Sequence, residues 1–176
     1  MKRILSFLMV MILLLSLIGC GKETAPTTSE VQTSYQKLSY NDFNNLAMEK
    51  GYSPVENADN SAIKFKRSFY IDDAGFNLFY FEFENTTSAC EYYNYVAQTY
   101  QTFSSEFSST VQYKDYACYF MKDGDYTLYV AFVENTLLYS LCVGDGKEHA
   151  THIRDALVNT IKYMQYPIPA LPNFEE

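Results

Sequence analysis

Tryptophan is missing from this chain of 176 residues, and histidine occurs only twice. The two histidines, His149 and His152, stand three apart beside Glu148 and Asp155. On a helix, residues three and four apart are neighbours, so these four side chains could in principle hold a metal. Their place in the first turns of a predicted helix, on its polar side, makes them exposed imidazoles instead, and no metal or other cofactor is expected. Positive charge is also scarce. Thirteen Lys and Arg face 21 Asp and Glu, for a formal net charge of −8. Phosphate neutralisation needs Lys and Arg, so nucleic acid is excluded as a partner. The same deficit argues against electrostatic adhesion to anionic lipid.

Other catalytic signatures are absent. Asp72-Asp73 and Asp123-Gly124-Asp125 lack the alternating oxygen ligands and closing Glu of a calcium loop, and read as turns. Gly144-Asp145-Gly146-Lys147 lacks the rest of a phosphate loop, and its internal acid would repel phosphate. No Gly-x-Ser-x-Gly elbow is present. The chain has four cysteines. With Cys20 set aside for the reason below, Cys90, Cys118 and Cys142 remain. Their number is odd, so one at least is unpaired within the monomer. The compartment implied below permits one disulfide among them, but their apolar surroundings favour three buried thiols, which are usually inert.

The chain begins with the basic pair Lys2-Arg3. An apolar run from Ile4 to Ile18 follows, broken only by Ser6 and Ser16. That is the pattern of a secretory signal. It is short for a membrane-spanning helix, which needs about 20 apolar residues. Leu17-Ile18-Gly19-Cys20 closes the run, and this tetrad resembles the lipobox of bacterial lipoproteins. The resemblance implies that a signal peptidase cuts before Cys20 and that the Cys20 sulfur carries a diacylglyceryl group. It makes residues 1–19 a signal peptide and places the protein on the extracytoplasmic face of a membrane. Each buried acyl methylene adds about 0.8 kcal/mol of membrane affinity, so two or more chains anchor stably. Removal of Lys2 and Arg3 takes the formal charge from −8 to −10. The mature part resembles small lipoproteins of unknown function.

Residues 20–38 form the lipidated Cys and a polar, Thr- and Ser-rich stretch without apolar period. This reads as a flexible tether. Residues 39–166 read as one domain, and 167–176 as a Pro-rich tail. Ser39 and Asp42 start a helix as a capping box, with Phe43, Leu46 and Ala47 at helical spacing. Ser53 to Asn60 reads as a loop. Two strands follow. In the second, Phe79, Phe81 and Phe83 make one face while Phe76, Leu78 and Tyr80 occupy the other, which implies cover on both sides. Thr86-Thr87-Ser88 with Glu91 opens a second helix carrying Ala89, Tyr92, Tyr93, Val96, Tyr100 and Phe103 in one stripe. Ser104 to Thr110 reads as loop. Gln112–Lys122, Tyr126–Val133 and Thr136–Val143 read as a three-strand meander. A last helix starts near Asp145 and ends before Pro167. The expected architecture is α+β: a single antiparallel sheet of about five strands, helices on one face, order α-β-β-α-β-β-β-α. The two helix-then-strands units hint at a duplication.

What the chain has in excess is aromatic: 17 Tyr and 13 Phe. Tyrosine supplies contact area and a hydrogen bond at low entropic cost. A sheet face left uncovered by helices would present a Tyr platform, with Tyr92, Tyr93, Tyr119 and Tyr129 as candidate binding residues. The expected function is that of a membrane-anchored, non-enzymatic binding or interaction module for a peptide, glycan or protein. The alternatives are an envelope-associated hydrolase and a self-associating structural envelope protein.

Overall fold

In the computed structural model, the described residues are 35–57, 64–73, 75–102 and 105–171. Residues 1–34, which carry the expected signal peptide, lipidated Cys20 and most of the expected tether, lie outside them, as do Phe103 and the end of the tail. The described elements run, in chain order, α1 (Tyr40–Glu49), β1 (Val55–Glu56), β2 (Arg67–Asp73), β3 (Phe76–Glu82), α2 (Thr86–Gln101), β4 (Phe107–Gln112), β5 (Tyr116–Asp123), β6 (Tyr126–Val133), β7 (Thr136–Val143) and α3 (Lys147–Tyr163). The strands form one antiparallel sheet, ordered β1-β2-β3-β7-β6-β5-β4.

This corrects the expected five strands, their order and the placing of the helices. The sheet has seven strands, and helices cover both faces. Two strands escape the sequence pattern. Strand β1 is only two residues of edge, both exposed. Strand β4 alternates half-buried Phe107, Ser109 and Val111 with exposed Ser108, Thr110 and Gln112. The polar run Ser108-Ser109-Thr110 between Phe107 and Val111 hides the alternation, and edge pairing to β5 decides the matter. The predicted Gln112–Lys122 strand is also split. Tyr113 N–H donates to Tyr116 O at 2.8 Å, closing a turn over which the Tyr113 and Tyr116 rings stack at 4.7 Å.

Local chemistry accounts for the helix starts. Ser39 Oγ accepts from Asp42 N–H at 3.2 Å, the first bond of a capping box, while the Asp42 carboxylate accepts from the Ser39 hydroxyl. In α2 the cap is Asn85, ahead of the expected Thr86-Thr87-Ser88 start, and its Oδ1 accepts from Ser88 N–H at 2.9 Å. Helix α3 has no side-chain cap; Gly146 holds the N-cap position at φ +85°. The Asp145 backbone N–H instead donates to His149 Nδ1 at 3.1 Å. Both histidines are exposed. Just before it, Gly144 allows a close pass, since a Cβ there would lie 2.5 Å from Ala150 Cα.

Alternation along the strands sorts the apolar side chains into two layers. On one face, Phe69, Ile71, Leu78, Tyr80, Phe120 and Leu138 meet Phe43 and Ala47 of α1 and Ile153, Leu157 and Ile161 of α3. On the other, Phe81, Phe83, Val130, Phe132 and Leu137 meet Ala89, Cys90, Tyr93, Val96 and Ala97 of α2 alone. Burying each Val, Leu, Ile or Phe among them contributes about 1.5–3 kcal/mol. The two faces of β3 divide as its two apolar parities require. The hinted duplication fails on geometry. Antiparallel β3 and β7 at the centre admit only a two-fold axis normal to the sheet, which would keep α1 and α2 on one face.

The ends of the domain are tied down by tyrosines. Tyr80 OH donates to Leu38 O at 3.1 Å, and Tyr35 packs edge-on to Tyr116 at 5.0 Å. Residues 35–38, assigned to the tether on composition, therefore lie against the core. After α3, Tyr166 OH accepts from Val133 N–H at 3.0 Å and donates to Thr136 O at 2.8 Å. Tyr129 OH donates to Pro167 O at 2.6 Å. Cys118 and Cys142 are free, buried thiols. Cys90 is buried but is not a free thiol, so the expectation of three thiols is corrected to two.

Candidate functional site

The four tyrosines singled out from the sequence do not form one surface. Tyr119 pairs with Val130 across β5 and β6, while Tyr129 pairs with Phe120. That one-residue offset sends the two rings to opposite faces. Tyr129 is fully buried on the α1–α3 face, its hydroxyl engaged by Pro167. Tyr119 lies under α2 and Tyr93 on the buried face of α2 itself; they are 2% and 3% exposed. Tyr93 stands edge-on to Phe132, with ring centroids 5.4 Å apart. Tyr92 alone of the four is half-buried. These residues, Tyr92 apart, pack the core.

A different set of rings reaches the surface, because among the described residues a single helix covers one face of the seven-stranded sheet. Helix α2 packs chiefly over β6 and β7. Beside it, Tyr70 of β2, Phe79 of β3 and Tyr139 of β7 stand in direct cross-strand register. The centroids are 5.9 Å apart for Tyr70–Phe79 and 6.0 Å for Phe79–Tyr139. All three rings are half-buried. Tyr92 continues the strip along the helix, 5.7 Å from Phe81, 5.8 Å from Phe83 and 6.4 Å from Tyr95. Tyr95 itself is 68% exposed. The row follows from alternation in β2, where Ser68, Tyr70 and Asp72 point one way while Phe69 and Ile71 point to the other core. Tyr70 was missed because the stronger apolar parity of that strand belongs to the opposite face. Its single aromatic among Ser and Asp would have been the only signal.

The electrostatics of the strip come from burial. Desolvation pushes the Tyr139 phenol up, and its contact with the Tyr100 hydroxyl adds to this. Tyr92 is raised by burial and then by neighbouring Tyr95 and Tyr100. These groups stay neutral and act as hydrogen-bonding hydroxyls on apolar rings. Ser68, buried on the same face, leaves its Oγ without a partner. Burial drives the Cys118 thiol well above its ordinary range. It raises Cys142 too, against the opposing bond from Ser140. Both sulfurs are therefore held as thiols, the unreactive form. Among the described residues no three His, Cys, Asp or Glu side chains gather as a metal site requires. Nor is any described helix long and apolar enough to cross a membrane.

No protein-family model and no curated protein matches this chain. A solved structure, a GTP binding regulator from Thermotoga maritima, is similar over 65% of this chain and 84% of that one, at 9% identity and a TM-score of 0.39. A superposition that loose carries no argument about this chain.

Proposed function

We propose that this chain is a lipid-anchored protein of the extracytoplasmic face of a membrane, and that its domain is a non-enzymatic binding module. The observation that carries the binding reading is the row Tyr70–Phe79–Tyr139, three half-buried rings in register on the part of the sheet that α2 leaves open. Half-exposed rings in a fixed row offer apolar area already ordered by the sheet, so a ligand meets little entropic cost there. The anchor reading rests on Leu17-Ile18-Gly19-Cys20 behind a basic start and an apolar run. Residues 21–34, read as a tether from their composition, would at roughly 5–6 Å times the square root of their number let the domain range about two nanometres from the membrane.

Two experiments test the two halves separately. Cys20→Ala should abolish acyl labelling and release the protein from the membrane fraction; a variant that still takes up label and stays bound sinks the anchor. For the binding half, the chain from Gly21 onward is screened by thermal shift against peptides, glycans and small apolar metabolites, alongside Tyr70→Ser. A ligand at 100 times its dissociation constant adds about 2.7 kcal/mol, a shift of a few degrees. The expected result is a hit whose shift disappears in Tyr70→Ser. A shift that survives Tyr70→Ser removes the row from the site, and a flat screen across all three classes counts against the module.

A further inference from the structure

We draw no further inference here: the strongest candidate, the strip of half-buried rings beside α2 (Tyr70, Phe79 and Tyr92) with the unpartnered Ser68 hydroxyl on the same face, carries nothing beyond the reading above, because nothing in the structure shows what covers it.

Discussion

Asn77 pairs with Leu141 through its side chain, in the place where two backbones would otherwise meet. Its Nδ2 donates to Leu141 O at 2.9 Å, and its Oδ1 accepts from Leu141 N–H at 3.2 Å. Backbone pairing between β3 and β7 runs only from Phe79–Tyr139 to Glu82–Thr136. Beyond its other end Asn135 does the same office: its Nδ2 donates to Phe83 O at 2.7 Å, and its own carbonyl accepts from Phe83 N–H at 2.8 Å. This junction is the seam between the β1–β3 meander and the β4–β7 meander. The row Tyr70–Phe79–Tyr139 crosses it.

Asn77→Ala should therefore cost about 1–3 kcal/mol, because it strands both polar groups of a half-buried Leu141 backbone. Urea unfolding should show a lower midpoint at unchanged slope. An unaltered midpoint would mean that water replaces the amide and that the clamp is dispensable.

Tyr93 and Tyr166 are both buried, yet replacing each by Phe should act in opposite directions. The Tyr93 hydroxyl has no hydrogen-bond partner, so Tyr93→Phe should be neutral or stabilising by about 1 kcal/mol. Tyr166→Phe leaves the buried Val133 N–H without its acceptor and Thr136 O without its donor, and should destabilise by about 1–3 kcal/mol. Thermal melts of the pair decide the matter; a Tyr93→Phe variant as damaged as Tyr166→Phe contradicts the orphan hydroxyl.

Alkaline unfolding should be steep. Burial raises the phenols of Tyr129 and Tyr166 above their ordinary range, which for an unfolded chain lies near 10. Below about pH 10 both states keep these protons, and the stability is fully present. Above it the unfolded chain releases them while the fold holds them, so stability falls as pH rises, by about 1.4 kcal/mol per pH unit for each group. Urea midpoints taken from pH 8 to 11 should decline sharply only past 10, and Tyr129→Phe should flatten the decline by one proton. A loss that begins well below 10 would assign alkaline unfolding to other groups.

Gly144→Ala should be severe for its size. The added Cβ meets Ala150 backbone at 2.5 Å, so the β7–α3 connection must shift and α3 with it. Gly51→Ala, where a Cβ meets nothing within 4 Å but φ is +85°, offers a control that isolates backbone strain. Gly144→Ala should lower the melting temperature further; equal losses would show that the close pass relaxes freely.

Much of the fold was legible in short-range pattern. The two parities of β3 announced a strand covered on both sides, and Ser39 with Asp42 announced α1. Strand β4 was not legible, because Ser108-Ser109-Thr110 carries no apolar alternation and becomes a strand only by pairing with β5. Of the candidate site, Tyr92 was readable from its helical stripe. Tyr70 was hidden by Phe69 and Ile71 on the stronger face of its strand.

Composition and spacing alone settled the acidic balance, the aromatic excess and the signal-like start, since these are properties of residues taken in order. They also settled which side chains of a helix or strand share a face. Which layer each face meets was left to the tertiary arrangement. An apolar stripe requires burial against something, but its periodicity is the same whichever side of the sheet receives it. That choice placed α2 opposite α1 and α3, buried Tyr119 and Tyr129 in separate cores, and left the row Tyr70–Phe79–Tyr139 half in water.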